Sequence, residues 1–500
     1  MPLNNRALII TGIFLAMLLF LSCGFRPVDA DVSFGPEKSS PGPDTSLLNG
    51  IPPENIGYLV YDLDRKTVVR SHNRTRPFIP ASTTKVPATV FALNVLGPEY
   101  RFETYLSYKG SISKGVLKGD LYLKGTGDPL LTVSDLMAMI DRMKEKGIAS
   151  VEGRLCYDES ALAASPSIDP DMEPDVSFNS GVSALSLDYN TIMAEWKRDK
   201  KAKAMEIFLT PTLPVNGTGF SRDKLRENIK FTYRELGGSE TWLLSPDETR
   251  DGTERLPVKK PGRYTAHMFA KLCAMRGIAI KGPIGPGAMP LTASAIATHR
   301  GQRLADIVDL TLTYSINLMA ELAMLGAVKD KTGNAMRLDG AALELSKYFS
   351  GRLENIDWKE CRLFNGSGLT PKNRITPEQM TAVLVYADAQ DYGGKKYRNF
   401  LPASGWEWSL MNRFGDPNTA FHVWAKTGTI NYAVALAGYL YTKSRRTMAF
   451  TIYISDIDAR QVYDSDPDRR SKESMAKVYG WLNSAKKTMD GIVTGWVEEL

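Results

Sequence analysis

Residues Phe78–Leu96 read Phe-Ile-Pro-Ala-Ser-Thr-Thr-Lys-Val-Pro-Ala-Thr-Val-Phe-Ala-Leu-Asn-Val-Leu, and this stretch is the starting point for interpreting the chain. Its apolar content predicts a helix over Ala81–Leu96. Ser82 and Lys85 are three residues apart, so they share a helix face and the lysine amine can reach the serine hydroxyl. The helix N-terminus also favours an anion that develops near Ser82. Pro87 removes a helical hydrogen bond, which predicts a bend in the helix.

The Ser-x-x-Lys spacing alone is a weak signal, since about two matches are expected by chance in a chain of this length. Context distinguishes Ser82, which opens an apolar helix, from copies that fall in a Gly-flanked turn, a charged run and the C-terminal helix: Ser111/Lys114, Ser221/Lys224, Ser474/Lys477 and Ser484/Lys487. We interpret those copies as solvated surface residues. Ser82 is therefore the candidate nucleophile.

Two further short motifs follow along the chain. Ser315-Ile-Asn317 lies in an apolar helical region, whereas other Ser-x-Asn matches occur at Ser71–Asn73 and Ser177–Asn179. Lys426-Thr-Gly-Thr429 follows a short apolar run and precedes two more strand-like runs, whereas a second Lys-Thr-Gly, at Lys331, lies in a polar turn. We expect Lys426 to end a strand whose edge backbone can lie along a substrate.

The three motifs together supply a nucleophile and its base. A serine hydroxyl is a poor nucleophile at neutral pH and needs an adjacent base. Lys85 can serve only when neutral, which requires burial and a nearby positive charge, and Lys426 is the obvious second cation. Ser315 can pass a proton to the leaving amine, and Asn317 can orient Lys85 and the substrate amide.

The predicted substrate-binding segment is Thr427-Gly428-Thr429. The backbone N–H groups of Ser82 and Thr429 are expected to form the oxyanion hole. Lys426 and Thr427 are expected to hold the terminal carboxylate of the substrate. A Ser-His-Asp triad is the weaker interpretation, because no histidine lies in a usable motif and the chain has no Gly-x-Ser-x-Gly segment.

Composition bounds the class of protein. The 500 residues suggest two to four domains at roughly 100–200 residues each. The chain is 43% hydrophobic and 24% charged, which excludes a disordered, collagen-like or polytopic membrane protein. The net charge of +6 comes without a basic block, so nucleic-acid binding is not indicated. The four cysteines contain no C-x-x-C pair and the four histidines show no ligand spacing, so no metal or other cofactor is predicted.

Residues 1–30 are predicted to be a secretory signal, because Ala7–Gly24 is apolar and uncharged and follows one positive charge. Val28-Asp-Ala30 suits cleavage before Asp31, whereas Phe20-Leu-Ser-Cys23 loosely resembles a lipobox for lipidation of Cys23. An uncleaved anchor helix is the third interpretation. All three place the rest of the chain outside the cytoplasm, in the periplasm, with membrane association through a lipid anchor or an uncleaved signal left open. Residues 31–46 are rich in Pro, Gly and Ser and predict a linker.

Strand signals occur at both ends of the mature chain, which predicts one sheet that both ends complete. The predicted elements outside the middle region are a hairpin (Ile56–Asp62 and Thr67–Arg70), helices (Leu304–Lys329, Thr376–Ala389 and Ser471–Lys487) and three strands (Val423–Lys426, Ala433–Thr442 and Met448–Ser455). The middle region mixes strand signals (Leu121–Lys124, Ala204–Thr210 and Ile229–Tyr233) with one helix (Thr265–Gly277). An apolar stripe over 488–500 favours packing on the domain over a membrane-surface anchor.

The ordered motifs, with a long interval between Lys85 and Ser315, resemble those of the class C low-molecular-mass penicillin-binding proteins, the D-alanyl-D-alanine carboxypeptidase/endopeptidases of the penicillin-binding protein 4 type. Further segments resemble that family: Pro80–Lys85, Gly125-Thr-Gly-Asp-Pro129, Ser183-Ala-Leu-Ser186 with Asn190, and Asn365-Gly-Ser-Gly-Leu369. The resemblance covers about residues 50–485. Asn365 departs from the usual Asp, which puts substrate preference in question.

The resemblance implies an α/β (α+β) fold: a serine β-lactamase/DD-transpeptidase-like domain, with an antiparallel sheet flanked by helices and a large mixed α/β insertion. The implied boundaries are 47–99 plus 290–487 for the DD-peptidase domain, 100–289 for the insertion and 488–500 for a C-terminal tail. The implied partners are peptidoglycan stem peptides and β-lactam antibiotics. The implied reaction cleaves D-Ala-D-Ala or D-linked crosslinks through acyl-Ser82.

Two other functions fit parts of the pattern. One is a β-lactamase or esterase of the same fold, although no Glu-x-x-Leu-Asn deacylation signature is present. The other is a catalytically silent peptidoglycan-binding module, in which Pro87 displaces Lys85. The sequence also leaves open carboxypeptidase against endopeptidase activity. Cys156, Cys273 and Cys361 are predicted to be buried thiols, with a Cys156–Cys273 bridge as the alternative in an oxidising compartment.

Overall fold

The computed structural model describes residues 27–35, 42–199, 204–210, 218–222, 231–236, 239–245 and 250–500. The strands in these residues are β1 Ile56–Asp62, β2 Thr67–His72, β3 Arg101–Ser113, β4 Val116–Gly125, β5 Ser150–Val151, β6 Leu155–Asp158, β7 Thr191–Asp199, β8 Ala204–Thr210, β9 Thr218–Arg222, β10 Phe231–Leu236, β11 Ser239–Leu244, β12 Gly252–Pro257, β13 Ala279–Ile280, β14 Ile284–Pro286, β15 Ser294–Arg303, β16 Val423–Ile430, β17 Ala433–Tyr441 and β18 Thr447–Ser455. The α-helices are α1 Lys85–Leu96, α2 Val133–Glu145, α3 Pro261–Met275, α4 Leu304–Tyr314, α5 Asn317–Thr332, α6 Leu338–Ser350, α7 Pro377–Ala389, α8 Ile457–Ser465 and α9 Lys472–Glu499.

The predicted sheet from both chain ends is confirmed. Its strand order is β16-β17-β18-β1-β2, and every neighbouring pair is antiparallel. Alternate residues of β17 face opposite sides, with Val434, Leu436 and Leu440 in one core and Ala435, Ala437 and Tyr439 in the other. Helix α7 packs on β18 and β1, and α9 packs on β17 and β18. The strand β16 forms the sheet edge that carries the Lys426 motif.

The C-terminal helix is longer than the sequence predicts. Helix α9 runs from Lys472 to Glu499, so the predicted end at Lys487 and the separate tail 488–500 are wrong. The apolar stripe of that segment is buried in the core under the sheet, where it comprises Met489, Ile492, Val493, Trp496, Val497 and Leu500. Burying each such side chain contributes about 1.5–3 kcal/mol. Packing on the domain, the favoured interpretation of the stripe, is confirmed.

The N-terminal segment is partly ordered against the domain. Residues 1–26 of the predicted signal segment 1–30, with Cys23, lie outside the described residues. Val32 is buried in the core, and the side chain of Gln390 exchanges two hydrogen bonds with the backbone of Val28. Arg74 donates to the carbonyl of Gly35 at 2.6 Å. The prediction of a linker is therefore wrong for 31–35, because apolar side chains and backbone groups there find partners on the domain. Within the described residues, no helix has the length and apolar character needed to cross a membrane.

The middle region forms its own sheets around its own core. Its largest sheet has the order β13-β5-β4-β3-β15, with β6 paired to β4 and β14 paired to β6. Two three-stranded sheets follow the orders β10-β11-β9 and β12-β7-β8. Strand β15 is antiparallel to β3, so strand pairing carries this sheet to Arg303, beyond the predicted boundary at 289.

Two predicted features of the helices are wrong. The single helix expected over Leu304–Lys329 is divided into α4 and α5, because Ser315 adopts a left-handed backbone with φ 59°. Pro87 does not bend its helix, because the segment Ala81–Thr84 is a 3₁₀ turn and α1 begins at Lys85. Pro87 therefore lies in the first α-helical turn, where backbone N–H groups have no intrahelical acceptor.

Cysteines Cys156, Cys273 and Cys361 are buried free thiols, as predicted, and the alternative Cys156–Cys273 bridge is wrong. The Cys156 sulfur lies against Gly287, at 3.1 Å from the position of a Cβ there, whereas Cys273 is enclosed in the apolar core of the middle region. Burial raises the pKa of both thiols, which keeps them protonated and unreactive.

Candidate active site

Ser82 lies in the 3₁₀ turn Ala81–Thr84 that leads into α1. The preceding residue, Ala81, adopts φ 45°, a conformation that costs a non-glycine residue about 1–2 kcal/mol. The loop residue Gly368 approaches so closely that a Cβ there would lie 1.7 Å from the Ala81 carbonyl oxygen. The turn is therefore held in a strained form by a neighbour that must be glycine.

Lys85 is completely buried and touches three oxygen atoms. Its Nζ lies 2.9 Å from Ser82 Oγ, 2.7 Å from Asn317 Oδ1 and 2.8 Å from the carbonyl oxygen of Ser367. A neutral amine has two N–H groups and one lone pair. If the two N–H groups donate to Asn317 and Ser367, the lone pair faces the Ser82 hydroxyl.

The electrostatic surroundings favour that neutral amine. Burial is the main cause of a Lys85 pKa well below its ordinary value, and the positive charge of Lys426 lowers it further. The carboxyl of Glu321 opposes both effects. Burial also lowers the pKa of Lys426 to about 7. With a pKa of about 7, Lys426 is charged in only part of the molecules at neutral pH, so it supplies the predicted second cation only in part.

The break between α4 and α5 brings the second motif close to Ser82 and Lys85. Ser315 lines the same cleft as Ser82. Asn317 is the first residue of α5, and its side chain accepts from Lys85 and donates to the carbonyl oxygen of Phe178 at 2.9 Å. Phe178 belongs to the middle region, so the insertion contributes directly to the site. Sequence reasoning missed this contact.

The third motif lies inside β16. The prediction that Lys426 ends a strand is therefore wrong. The strand continues to Ile430 because Thr427, Gly428 and Thr429 all pair with β17. A Cβ on Gly428 would lie 3.0 Å from the backbone nitrogen of Ser82 and 2.8 Å from the carbonyl oxygen of Pro80. The absence of a side chain thus lets the edge strand lie against the nucleophile turn. Lys426 Nζ donates to the Thr427 carbonyl at 2.9 Å.

Glu321 is a site residue that sequence reasoning missed. It is fully buried on α5, one turn after Asn317, and its carboxylate accepts from the backbone N–H groups of Gly366 and Ser367 at 2.9 and 2.8 Å. Burial raises its pKa. Glu321 thereby fixes the loop whose Ser367 carbonyl accepts from Lys85. A lone acid within the apolar run of α5 was the available signal.

The departure at Asn365 leaves this loop intact. Its buried side chain accepts from the backbone N–H of Gly368 at 3.0 Å and from Asn373 Nδ2 at 3.2 Å. An Asp carboxylate could accept the same two bonds, so the turn does not require the acid.

His422 lies four residues before Lys426, and its ring Nδ1 is hydrogen-bonded to the Tyr441 carbonyl oxygen at 2.5 Å. This contact is structural.

Ser82 opens onto a cleft of about 930 Å³. One wall of the cleft is the segment 169–178 of the middle region. Three ion pairs join this segment to residues on the other side of the cleft. The pairs are Asp171–Lys372 at 2.6 Å, Glu173–Arg469 at 3.0 Å and Asp175–Arg470 at 3.3 Å. In the part of the chain that the structure describes, no group of three or more His, Cys, Asp or Glu side chains could hold a metal ion.

A buried lysine between a serine and an asparagine, beside an edge strand bearing Lys-Thr-Gly, matches the arrangement that the sequence predicts. A sequence profile of the D-Ala-D-Ala carboxypeptidase 3 (S13) family matches residues 46–475. The chain belongs to this family. It is accordingly a hydrolase of the D-alanyl-D-alanine carboxypeptidase type, which confirms the predicted enzyme class.

Two D-alanyl-D-alanine carboxypeptidases are similar in sequence to this chain. A D-alanyl-D-alanine carboxypeptidase of Haemophilus influenzae is 23% identical over 420 residues, which cover 80% of this chain and 85% of that protein. A D-alanyl-D-alanine carboxypeptidase of Actinomadura is 24% identical over 413 residues, which cover 77% of this chain and 74% of that protein. The chain therefore spans most of the length of both relatives.

Solved structures show the same fold. Penicillin-binding protein 4 of Haemophilus influenzae superposes with a TM-score of 0.76 at 21% identity, over 91% of this chain and 99% of that one. A predatory endopeptidase of Bdellovibrio bacteriovorus, solved with an immunity protein, gives a TM-score of 0.51 at 17% identity, over 88% and 92%. The same endopeptidase acylated by penicillin G gives a TM-score of 0.50 at 17% identity, over 88% of this chain and 91% of that one. The predicted fold class is confirmed.

Proposed function

We propose that this S13-family chain cleaves the D-Ala-D-Ala bond of peptidoglycan stem peptides, and D-linked crosslinks, through an acyl-Ser82 intermediate that penicillin also forms. The observation that carries the proposal is the placement of the buried Lys85 amine 2.9 Å from Ser82 Oγ. The printed names of the relatives support the substrate, and the penicillin-acylated Bdellovibrio endopeptidase supports the reaction with β-lactams.

Acylation begins with neutral Lys85. Its lone pair takes the Ser82 proton while Ser82 Oγ attacks the carbonyl carbon of the penultimate D-alanine. The two remaining amine protons stay bonded to Asn317 and Ser367, so the base keeps its orientation as it becomes an ammonium. Asn317 and Ser367 accept more strongly from that cation, which stabilises the charge formed in the transition state.

The developing oxyanion needs donors that are already in place. We assign the backbone N–H groups of Ser82 and Thr429 to this role. The close approach at Gly428 supports the assignment, because it sets β16 beside the Ser82 nitrogen. Lys426 and Thr427 are assigned to the terminal carboxylate, with a cation and a hydroxyl on the same edge strand.

Breakdown of the tetrahedral intermediate requires a proton on the leaving amine. We assign Ser315 to relay it from the Lys85 ammonium, since Ser315 lines the cleft beside Ser82. The C–N bond breaks, D-alanine or a crosslinked residue leaves, and Lys85 is neutral again. Water then attacks the acyl-Ser82 ester with Lys85 as base, and hydrolysis restores the hydroxyl.

We place this reaction outside the cytoplasm, in the periplasm, where its substrate polymer would lie. The predicted signal over 1–30 supports that location. Its three predicted fates are cleavage before Asp31, lipidation at Cys23 and retention as an uncleaved anchor helix. We propose a catalytic domain interrupted by an insertion of about residues 101–303, since strand pairing joins Arg101 to Arg303 and most of the buried apolar residues between them form a core of their own. Other buried apolar residues of this segment pack in the core of the catalytic domain: Phe102, Leu162, Ile168, Val182 and Ala184.

The test is D-alanine release from a soluble pentapeptide that ends in D-Ala-D-Ala. Wild type should release it, and Ser82→Ala should not. Ser474→Ala is the matched control, because Ser474 and Lys477 repeat the motif spacing on the partly exposed surface of α9. Release by Ser82→Ala at the wild-type rate would contradict the proposal. Mass analysis of digested crosslinked muropeptides then separates carboxypeptidase from endopeptidase activity.

A further inference from the structure

A group of exposed aromatic rings lies beside the cleft, and we name it the aromatic strip: Tyr314, Trp406, Trp408 and Phe421. Their side chains are 47%, 66%, 61% and 53% exposed, respectively. Tyr314 and Trp408 are in edge contact with ring centres 5.3 Å apart, and Trp406 lies 6.2 Å from Phe421. Single exposed apolar residues are ordinary, whereas two contacting pairs of large exposed rings on neighbouring residues mark an interaction surface.

The aromatic strip is continuous with the substrate cleft. Tyr314 directly precedes Ser315, and both line the cleft that contains Ser82. At the strip's other side, Ala403 pairs with Trp424 on β16, the strand that carries Lys426. The strip is therefore joined to the cleft through Tyr314, and the segment that carries its other rings lies beside the N-terminal end of β16. The ion-paired wall of segment 169–178 belongs to the same cleft, and the strip adds a surface of different chemistry.

The backbone holds the strip in place. Trp408 and Phe421 adopt φ 30° and φ 62°, conformations that are costly for bulky residues and persist only when surrounding contacts impose them. Leu410 and Phe414 anchor the intervening segment in the core under the sheet. Ser404 Oγ donates to the carbonyl of Thr419 at 3.0 Å across the loop. Trp406, Trp408 and Phe421 are thus carried by a strained segment that buried side chains anchor, an arrangement common at functional sites.

We propose that the aromatic strip binds sugar rings of the glycan strand to which the stem peptide is attached. This inference rests on the proposed function, since a stem peptide in the cleft would bring its own glycan strand alongside. Indole and phenol faces are large, flat and amphipathic, so they stack on the C–H faces of pyranose rings while sugar hydroxyls stay in water.

Charge favours a sugar polymer over a membrane surface. The segment from Ala403 to Phe421 carries only Glu407, Arg413 and Asp416, and Arg413 is ion-paired with Asp490. Membrane-surface segments combine exposed aromatic rings with an excess of Lys and Arg. The strip lacks that excess.

The experiment uses the full chain and peptide-free glycan strands of alternating N-acetylglucosamine and N-acetylmuramic acid, released from peptidoglycan by an amidase. Calorimetric titration should give binding by wild type, roughly tenfold weaker binding for Trp406→Ala or Trp408→Ala, and near loss for the double variant. Trp408→Phe keeps a ring face and should retain most of the affinity. Tyr479→Ala is the matched control, because Tyr479 is 59% exposed on α9, outside the strip.

Binding of peptide-free strands involves no chemistry at Ser82, so this result and D-alanine release can fail independently. Thermal unfolding of each variant checks that it is folded. If Trp408→Ala unfolds, Trp406→Ala decides the test, since the Trp406 ring is largely exposed. Wild type that does not bind the strands, variants that bind them as wild type does, or strip-dependent binding to phosphatidylglycerol vesicles in place of glycan would each overturn the proposal.

Discussion

Replacing Gly428 by alanine tests whether the edge strand β16 must lie against the turn Ala81–Thr84, which contains Ser82. The new Cβ would lie 2.8 Å from the Pro80 carbonyl oxygen, 3.0 Å from the Ser82 nitrogen and 3.1 Å from Ala435 Cβ. Both nearest atoms are backbone, so no flexible side chain can move aside. The strand and the turn must separate by several tenths of an ångström.

That separation displaces one proposed oxyanion donor relative to the other. Losing such a donor reduces catalysis by about 10²–10³-fold, so we expect Gly428→Ala to lower the acylation rate constant by roughly 10²-fold. Overpacking of a single methyl group should lower the free energy of unfolding by about 1–3 kcal/mol. The rate is measured as time-dependent labelling by a fluorescent penicillin, and the stability by urea unfolding.

Gly480→Ala is the matched control, because Gly480 lies within α9 and a Cβ there meets no atom within 4 Å. It should leave the labelling rate unchanged and raise the unfolding free energy by about 0.5–1 kcal/mol. A folded Gly428→Ala protein that is labelled at the wild-type rate would refute the reasoning, since the close approach would then serve only packing.

Three further predictions concern charge and thiols. Burial lowers the pKa of Lys426 to about 7, whereas an unfolded lysine titrates near about 10.4, so the unfolded state binds an extra proton between these values. The unfolding free energy of wild type should therefore rise with pH from 7 to 9. Lys426 contributes up to about 1.4 kcal/mol per pH unit, and buried Lys85, whose pKa is also lowered, adds to the slope, so Lys426→Met should leave a smaller positive slope in urea titrations. Arg469→Ala breaks the partly exposed ion pair between Arg469 and Glu173, two residues that line the cleft. We expect KM for the pentapeptide to rise, while kcat and the midpoint of unfolding change little. A fall in kcat with unchanged KM would contradict this prediction. Cys156 and Cys273 should both react with a thiol reagent after denaturation without reductant, and peptide mapping that finds them joined would contradict the structure.

The sequence predicts much of the candidate active site because the residues of that site lie in short local motifs. Ser82 and Lys85 are one helical turn apart, and each later motif has a context that separates it from its decoys. The sheet from both chain ends follows from strand signals that flank the long insertion. Periodicity and short spacing suffice for such features.

The remainder depends on contacts between segments distant in the chain. Phe178 reaches Asn317 from the insertion, and no periodicity encodes that approach. The break before α5 depends on the left-handed backbone of Ser315. The neighbouring sequence contains no glycine or proline that would have predicted a helix end there. Glu321 appears as a lone acid in an apolar helix, and only its two bonds to the loop around Ser367 reveal its positioning role.

The continuation of α9 to Glu499 was missed for a related reason. Gly491 weakens intrinsic helix propensity, yet packing overrides that preference once Met489, Val493 and Trp496 are buried under the sheet. The same override orders Val32 in a segment whose composition predicts a linker. Tertiary burial, rather than local sequence, decides the structure around Val32 and over the last turns of α9.

The central claim is that Lys85 activates Ser82 for acylation, and benzylpenicillin tests it most directly. The full chain is incubated with the antibiotic at neutral pH, digested, and mapped by mass spectrometry. We predict one adduct with the mass of intact benzylpenicillin on the peptide containing Ser82, its absence in Ser82→Ala, and strongly slowed formation in Lys85→Ala. An adduct on another residue, or one that persists in Ser82→Ala, would contradict the account.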